Sequence, residues 1–454
     1  MKLRFFTAAS VCVLMLVSLT DAQARDLPRT KPEREGFSSE RLARIDAYMQ
    51  QAVSDGVMVG GQGLIARNGK VIYNQTWGMR DRERQLPMTT DTIHRIYSMS
   101  KPITGVALMT LFEEGKFLLD EPVAKYIPEL ANLQVALSTA EGGITATSDG
   151  TRSSSEGAGD TTLEGKTRQP GHQPTIREIM NHTAGFTYGV FGNTEVDKQY
   201  RAAQLLTEHP SLLDFVQKLG RIPLQYEPGT RWHYSVGVDV QGRLVEVLSG
   251  QKFSDFLNTR LFAPLEMKDT AFTVPVEKQE RFAQLYAPKG TPGSSNAWLA
   301  NVQSNELEVA NDFANRNYRP GATFESGGGG LVSTAEDYLR FCQMMLNGGE
   351  LDGRRYLSPH TVALMSRNTL KDVRMDRPGV GFGLDFAVVE DAGAAGDSGS
   401  DGEYNWGGAA GTRFWIDPKE NIVGVFMVQS LPHRTTLASK FKVLTYQSLE
   451  SSAL

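Results

Sequence analysis

Ser98-Met99-Ser100-Lys101-Pro102-Ile103 decides the fold, because it stands where a polar segment gives way to an apolar run with helical spacing. A serine and a lysine three positions apart at the start of a helix lie on one face. The helix dipole and the free amide groups of the first turn favour a developing negative charge there. A hydroxyl nucleophile needs a nearby base and such electrostatic support. The stretch therefore predicts a nucleophilic Ser98 with Lys101 beside it.

The same Ser-x-x-Lys pattern occurs at two other places, Ser249-Gly250-Gln251-Lys252 and Ser439-Lys440-Phe441-Lys442. The former follows an apolar run and contains Gly250, which predicts a helix C-terminus, where the dipole opposes an alkoxide. Ser439 falls inside a predicted final helix, and we expect Lys442 to be a solvated surface charge. Only the copy at Ser98 opens a helix, and Pro102 suits the first turn.

Composition indicates a globular protein with enough apolar residues for a large core. The chain has 454 residues, of which 22% are charged and 40% hydrophobic, and a formal net charge of -5. Such a mixture is typical of soluble domains. A slightly acidic chain gives no reason to expect nucleic acid or an anionic membrane as a partner. We expect a small-molecule substrate, and the sequence leaves the oligomeric state open.

Residues 1–24 have the pattern of a secretion signal peptide. A positively charged start precedes an apolar stretch over 5–19, and Ala22-Gln23-Ala24 supplies a small-residue cleavage site. The apolar stretch is short for a bilayer span, so we expect removal and no membrane anchor. The expected location is the periplasm or the exterior of a bacterial cell. Residues 25–454 then retain Cys342 alone, which excludes an intrachain disulfide and which we expect to be buried.

Strand patterns near both ends of the chain predict two hairpins. An Asn68-Gly69 pair between two strand-like runs is a strong hairpin signal, and Asp417-Pro418-Lys419 separates the second pair. The predicted elements are a helix over 39–53, strands over 57–67 and 70–77, strands over 412–416 and 421–429, and a helix over 435–449. We therefore predict an α+β fold with an antiparallel sheet that is formed from both termini and flanked by helices.

The middle of the chain is predicted to be a mainly helical lobe. Helices are expected over 103–114, 175–181, 212–219, 238–248, 253–261 and 335–346. Residues 138–174 form a low-complexity stretch that predicts a mobile surface loop. Another irregular piece is expected over 391–402. The domain prediction is one domain over 25–454, with a sheet lobe of about 35–100 and 330–454 and a helical lobe of about 101–329.

Tyr234 is a second candidate for proton transfer. It lies just before a predicted helix, in a segment introduced by the turn signal Glu227-Pro228-Gly229. A phenol near a lysine becomes more acidic, so it can take a proton from Ser98 or return one to a leaving group. From its position alone, an aromatic side chain packed against the core is the simpler interpretation.

The run Trp406-Gly407-Gly408-Ala409-Ala410-Gly411 precedes a predicted strand. Successive small residues let the backbone approach a substrate, and an amide there can donate to an oxyanion. A bulge or tight bend at a strand edge explains the same run equally well.

Other chemical motifs point away from metals and nucleotides. His182 is expected to bond backbone carbonyls at a helix C-terminus, and no paired-histidine spacing exists, so we expect no metal and no cofactor. The run Gly327-Gly328-Gly329-Gly330 lacks a following Gly-Lys-Ser/Thr and is interpreted as a turn into a helix. The chain contains no Gly-x-Ser-x-Gly, which argues against an α/β-hydrolase elbow.

Three motifs in this order resemble the serine β-lactamase and penicillin-binding-protein superfamily. They are Ser98-Met99-Ser100-Lys101, Tyr234-Ser235-Val236 and Trp406-Gly407-Gly408. The chain is most similar to the class C β-lactamase-like branch that includes the family VIII carboxylesterases. The resemblance runs from about residue 39 to the C-terminal helix and implies a β-lactamase/transpeptidase-like fold of two lobes, with the site in the cleft between them.

The resemblance also implies catalytic roles. Ser98 is the acylated nucleophile, Lys101 accepts its proton, and Tyr234 passes a proton to the leaving group. The backbone amides of Ser98 and Ala409 form the oxyanion hole. Trp406, Gly407 and Gly408 line the substrate site.

Two departures from the β-lactamase pattern concern the binding of an anionic antibiotic. Val236 stands where the β-lactamases of this class have Asn, and Trp406 stands where they have Lys. Losing a charged partner costs on the order of a few kcal/mol of binding free energy. The expected function is therefore an exported serine carboxylesterase that cleaves short-chain esters through an acyl-enzyme on Ser98. The alternatives are a β-lactamase or D-alanyl-D-alanine carboxypeptidase, and a non-catalytic penicillin-binding-like module.

Overall fold

The computed structural model describes residues 26–137, 166–207, 209–292, 304, 306–310, 318–433 and 435–452, and the backbone of 145–146 and 152–153. The predicted signal peptide and most of the predicted loop over 138–174 lie outside these residues. Near the end of that loop, Thr167–Arg168 pairs with Val135–Ala136. In the described part of the chain, no helix is both long enough and apolar enough to cross a membrane.

An eight-stranded antiparallel sheet forms the centre of the fold. Its strands are β1 (Gly60–Arg67), β2 (Lys70–Asp81), β3 (Leu86–Pro87), β4 (Val380–Phe382), β5 (Ala387–Val389), β6 (Tyr404–Gly407), β7 (Arg413–Asp417) and β8 (Ile422–Val428). Their spatial order is β4-β5-β6-β7-β8-β1-β2-β3. The two predicted hairpins are β1–β2 and β7–β8, and β1 pairs with β8, with Gly61 opposite Val428. The prediction of an antiparallel sheet built from both termini is confirmed.

Twelve α-helices lie in the described part of the chain. They are α1 (Ser39–Ser54), α2 (Ser100–Glu113), α3 (Ile176–Met180), α4 (Glu195–Ala202), α5 (Leu212–Leu219), α6 (Gly237–Ser249), α7 (Phe253–Leu257), α8 (Ala263–Leu265), α9 (Ala335–Leu346), α10 (Pro359–Met365), α11 (Ala392–Ala395) and α12 (Leu437–Tyr446). Helices α1 and α12 cover one face of the sheet, where Trp77, Trp415 and Phe441 share an apolar cluster. The larger apolar cluster fills the opposite side, between the sheet and the remaining lobe.

Helix α2 carries the predicted nucleophile segment through the middle of this larger core. Its residues from Ser100 to Leu111 are all buried. A helix that is apolar all round has no solvent face to turn outward and is therefore enclosed by its neighbours. Enclosure fixes the position of its N-terminus, and with it the position of Lys101.

Several elements differ from the sequence predictions. Helices α4 and α10 were not predicted, because each is short and the capping signals at Thr194 and Ser358 stand without a long apolar repeat behind them. The expected helix over 253–261 ends as α7 and continues as a π-helical turn, Asn258–Phe262. Pro264 follows that turn and lacks the N–H that a continuous α-helix requires. The piece over 391–402 is not wholly irregular, because it contains α11.

The expectation that Lys442 is a solvated surface charge is wrong. Lys442 is 4% exposed, and its ammonium contacts the carboxylates of Asp397 and Glu403. The sequence shows only an amphipathic helix, and these acidic partners come from the segment between β5 and β6. The expectation for Cys342 is confirmed, since this cysteine is buried and unoxidised.

Candidate active site

Ser98 lies in a short 3₁₀ turn, Tyr97–Met99, that leads directly into α2. The preceding residue, Tyr97, has φ of 43°, a left-handed conformation that is uncommon for a residue with a side chain. Strained backbone of this kind persists only where the surroundings hold it, and it often marks a functional site. Ser98 itself is partly exposed, whereas Lys101 one turn later is fully buried.

The structure brings Ser98, Lys101 and Tyr234 together. The phenol of Tyr234 donates a hydrogen bond to Ser98 Oγ at 2.6 Å, and Lys101 Nζ donates to the same oxygen at 3.3 Å. The ammonium of Lys101 also lies 4.7 Å from the centre of the Tyr234 ring. The contact of Tyr234 is within the range that direct proton transfer requires, and that of Lys101 is slightly longer. The tyrosine, which comes from a loop 136 residues along the chain, makes the shorter contact.

The ammonium of Lys101 is held by three neutral acceptors. Besides Ser98 Oγ, its Nζ donates to the hydroxyl of Tyr188 at 2.8 Å and to the backbone carbonyl of Gly328 at 2.5 Å. An ammonium has three N–H donors, so this set satisfies it completely. None of these bonds goes to a carboxylate, and the cation is therefore positioned without being neutralised by a direct ion pair.

Tyr188 belongs to the site, although sequence reasoning missed it. Burial, together with Tyr234 and Asp239 nearby, raises the pKa of Tyr188 well above its ordinary value. Tyr188 is therefore a neutral phenol that accepts from Lys101. In the sequence, Tyr188 follows the segment His182-Thr183-Ala184-Gly185 by three residues. That spacing does not reveal a contact with Lys101.

Aromatic side chains surround Tyr234. Its ring lies 5.1 Å from Tyr188, 5.4 Å from Trp406 and 4.8 Å from the imidazole of His182, measured between ring centres. Such packing restricts the phenol to the direction of Ser98. Apolar walls also exclude water, and this strengthens every polar interaction at Ser98.

The expectation that His182 bonds backbone carbonyls is wrong. The residue does follow α3, but it has φ of 61°, and its Nδ1 lies 3.4 Å from the hydroxyl of Ser235. Its Nε2 is buried and has no hydrogen-bond partner among the described residues. Burial and the charge of Lys101 hold the pKa of His182 well below its ordinary value, so the ring is neutral and packs as an aromatic group.

The predicted oxyanion segment follows β6. A Cβ on Gly408 would lie 2.4 Å from the carbonyl oxygen of Ile96, so only glycine fits this close approach. The side chain of Thr412 donates to the same carbonyl at 3.4 Å, which ties the segment to the backbone two residues before Ser98. Ala409 lies in the turn between Gly408 and Thr412 and is partly exposed, and its amide has no acceptor among the described residues.

The two departures noted in the sequence occupy different places. Val236 is fully buried at the start of α6 and packs in the larger apolar cluster. Trp406 is partly exposed and contacts the rings of Tyr234 and Phe382. Trp406 and the two glycines after it form a partly exposed strip beside Tyr234. The wall at this position is thus aromatic instead of cationic.

Two buried carboxyl groups lie behind the site. Asp239 accepts from the hydroxyl of Ser326 and the amide of Gly328, and burial raises its pKa. Asp385 accepts from Gln241 at 3.0 Å, and burial raises its pKa well above the ordinary value. Neither carboxyl touches Lys101. Across the described residues, no group of three or more His, Cys, Asp or Glu side chains is arranged to hold a metal ion.

Comparison with known proteins identifies the family of the chain. The β-lactamase family model matches residues 45–445. Esterase EstB from Burkholderia gladioli is 31% identical over 386 residues, which cover 83% of this chain and 87% of EstB. A putative D-alanyl-D-alanine carboxypeptidase from Escherichia coli K12 is 25% identical over 434 residues, which cover 92% of this chain and 88% of that protein.

Solved structures of the same fold superpose on this chain. EstCE1, a hydrolase with promiscuous acyltransferase activity, superposes with a TM-score of 0.68 at 26% identity, covering 91% of this chain and 99% of EstCE1. Simvastatin synthase LovD from Aspergillus terreus superposes with a TM-score of 0.72 at 20% identity, covering 91% of this chain and 100% of LovD, and so shows the fold alone. The expected β-lactamase/transpeptidase-like α+β fold is confirmed, and the chain belongs to the β-lactamase family of serine hydrolases.

Proposed function

We propose that the protein is a carboxylesterase that cleaves short-chain esters through an acyl-enzyme on Ser98. The observation that carries the proposal is the hydroxyl of Ser98, which contacts both a lysine and a tyrosine inside an aromatic site. Similarity to esterase EstB supports an ester as the substrate. The aromatic side chain of Trp406, where β-lactamases carry a cation, supports a neutral substrate over an anionic one.

The reaction proceeds in two halves. Ser98 attacks the ester carbonyl as its proton passes to Lys101, which reacts as the neutral amine and becomes the ammonium. The tetrahedral oxyanion accepts hydrogen bonds from the amides of Ser98 and Ala409. Tyr234 gives a proton to the departing alcohol, which leaves the acyl group on Ser98. Water then attacks the acyl-enzyme and gives its proton to the Tyr234 phenolate, while Lys101 returns a proton to the departing Ser98 oxygen. The 2.6 Å contact between Tyr234 and Ser98 suits a tyrosine that serves both halves.

Export to the periplasm or the exterior stays a prediction from the pattern of residues 1–24. It is compatible with an esterase and with either alternative activity, so it does not decide among them.

The test compares esters and a cephalosporin on one preparation. Nitrophenyl esters of increasing acyl length are expected to be hydrolysed with a preference for short chains, and nitrocefin much more slowly. Replacing Trp406→Lys is expected to raise the nitrocefin-to-ester ratio of kcat/KM by about tenfold or more, since it restores a cation. Faster turnover of nitrocefin than of every ester would refute the proposal in favour of a β-lactamase. An unchanged ratio in the variant would show that the cation does not set the preference.

A further inference from the structure

The five residues Ser326-Gly327-Gly328-Gly329-Gly330, called the glycine turn below, make a contact that the sequence did not reveal. The N-terminal part of α2 makes two hydrogen bonds to this segment and one to Leu331, the residue after it. Lys101 donates to the carbonyl of Gly328 at 2.5 Å, and Thr104 donates to the carbonyl of Gly327 at 2.9 Å. Ser100 Oγ accepts from the amide of Leu331 at 3.1 Å. The position of the glycine turn therefore sets where the ammonium of Lys101 lies.

Asp239 holds the glycine turn from its other side. This residue lies on α6, five positions after Tyr234, and is 3% exposed. One oxygen of its carboxyl group accepts from the hydroxyl of Ser326 at 2.5 Å and from the amide of Gly328 at 3.1 Å. A single side chain thus fixes both the first residue of the turn and the residue whose carbonyl receives the lysine.

Gly328 is packed so tightly that a side chain cannot be accommodated at this position. A Cβ at this position would lie 2.8 Å from the other oxygen of Asp239 and 3.0 Å from the hydroxyl of Tyr188. Tyr188 is itself the second neutral acceptor of the Lys101 ammonium. The carboxyl group, the turn and the phenol are packed so closely that a shift of one displaces the acceptors of the lysine.

We propose that Asp239 is a positioning residue for the acylation of Ser98, which it serves by clamping the glycine turn that aims Lys101. The inference rests on the proposed acyl-enzyme chemistry. Asp239 touches neither Ser98 nor Lys101, and it acts through the amide and carbonyl of Gly328. A displacement of about 1 Å at a reacting group costs on the order of 10²-fold in rate. Loss of the clamp is therefore expected to slow acylation without weakening substrate binding.

The experiment measures the acylation rate constant and KM from the pre-steady-state burst with a short-chain nitrophenyl ester. Asp239→Ala is expected to slow acylation by about 10- to 100-fold, with KM within about threefold of wild type. Asp239→Asn keeps a carbonyl oxygen that accepts both bonds, so it is expected to restore the rate to within about fivefold. Ser326→Ala removes one contact and no buried acid, and a slowing of about 3- to 10-fold is expected.

The matched control is Asp337→Ala. Asp337 is also buried, and it accepts from a backbone amide, Asp269, and from a hydroxyl, Thr270, at 2.8 Å each, away from Ser98. Its loss is expected to lower stability and leave acylation unchanged. Wild-type acylation in both Asp239→Ala and Ser326→Ala would overturn this inference alone, as would equal slowing in Asp337→Ala or no restoration by Asp239→Asn. A wild-type protein that no ester acylates would overturn the proposed function as well.

Discussion

The two Ser-x-x-Lys sequences at Ser98 and Ser439 share spacing, helical context and a buried lysine, yet their surroundings differ. Lys101 is 0% exposed and donates to a serine, a tyrosine and a backbone carbonyl. Lys442 is 4% exposed and contacts two carboxylates, Asp397 and Glu403. Within the described residues, no hydrogen bond joins Lys442 to Ser439, whereas Lys101 reaches Ser98 at 3.3 Å.

The same Ser-x-x-Lys pattern thus occurs with two different sets of acceptors, neutral at Lys101 and anionic at Lys442. Neutral acceptors hold an ammonium in place but leave its charge available to an adjacent hydroxyl. Carboxylate acceptors compensate the charge and make the lysine part of an ion-pair network that joins α12 to the segment before β6. Removing one partner of such a buried network leaves an uncompensated charge.

The largest expected difference between the two sites concerns their serines. Ser98→Ala is expected to reduce ester turnover by about 10⁴-fold or more, because the acyl-enzyme loses its nucleophile. Its thermal stability is expected to stay close to wild type. Ser439→Ala is the matched control, with unchanged turnover and a stability change within about 0.5 kcal/mol. Steady-state kinetics and thermal unfolding of both variants check the prediction, and activity of Ser98→Ala within tenfold of wild type would contradict it.

The lysines are expected to separate activity from stability. Lys101→Ala is expected to lower kcat/KM by about 10³-fold, with a stability change below about 2 kcal/mol, because the acceptors it leaves are neutral. Lys442→Ala is expected to lower the free energy of unfolding by about 3–5 kcal/mol, because Asp397 and Glu403 lose their buried cation. The folded fraction of Lys442→Ala is expected to hydrolyse esters at the wild-type rate, since this network does not touch Ser98.

Denaturant unfolding and ester kinetics on the same preparations measure both quantities. If Lys442→Ala retains wild-type stability, the network is not what holds α12 to the sheet. If Lys101→Ala loses stability as strongly as Lys442→Ala, the contrast between neutral and charged acceptors has no energetic basis.

The smallest expected effect is the contribution of the Lys442 network to the pH dependence of protein stability. Burial raises the pKa of Glu403 to about 7, outweighing Lys442, and Asp397 adds to the rise. The folded state then holds a proton that the unfolded state releases near pH 4.5, so stability falls as pH rises from about 4.5 to about 7. Glu403→Gln cannot ionise, and it is expected to remove this slope, which is worth on the order of 3 kcal/mol.

Unfolding free energies of wild type and Glu403→Gln at several pH values between 4.5 and 8 provide the measurement. The variant is expected to gain stability relative to wild type as pH rises through this window. Parallel curves for the two proteins would mean that Glu403 is ionised in the folded state throughout.

Local patterns predicted much of the fold and part of the site. The Asn68-Gly69 pair located the first hairpin, because φ of 51° and 73° at these positions favours such residues. Ser98 and Lys101 were found because their spacing on one helix is a local property. Tyr234 was found through resemblance, since its position alone favoured simple packing. Tyr188 and Asp239 were missed as parts of the site, because both act through contacts with distant segments.

The sequence by itself determined that a serine and a lysine share the face that opens α2, and that strands from both termini form an antiparallel sheet. Both follow from short-range geometry, in which spacing fixes direction. Only the tertiary structure decided which acceptors each buried lysine meets, because these come from residues as far as 227 positions along the chain from Lys101. Burial makes the identity of those acceptors decisive, since water no longer hydrogen-bonds a desolvated ammonium and the groups in contact with it must do so.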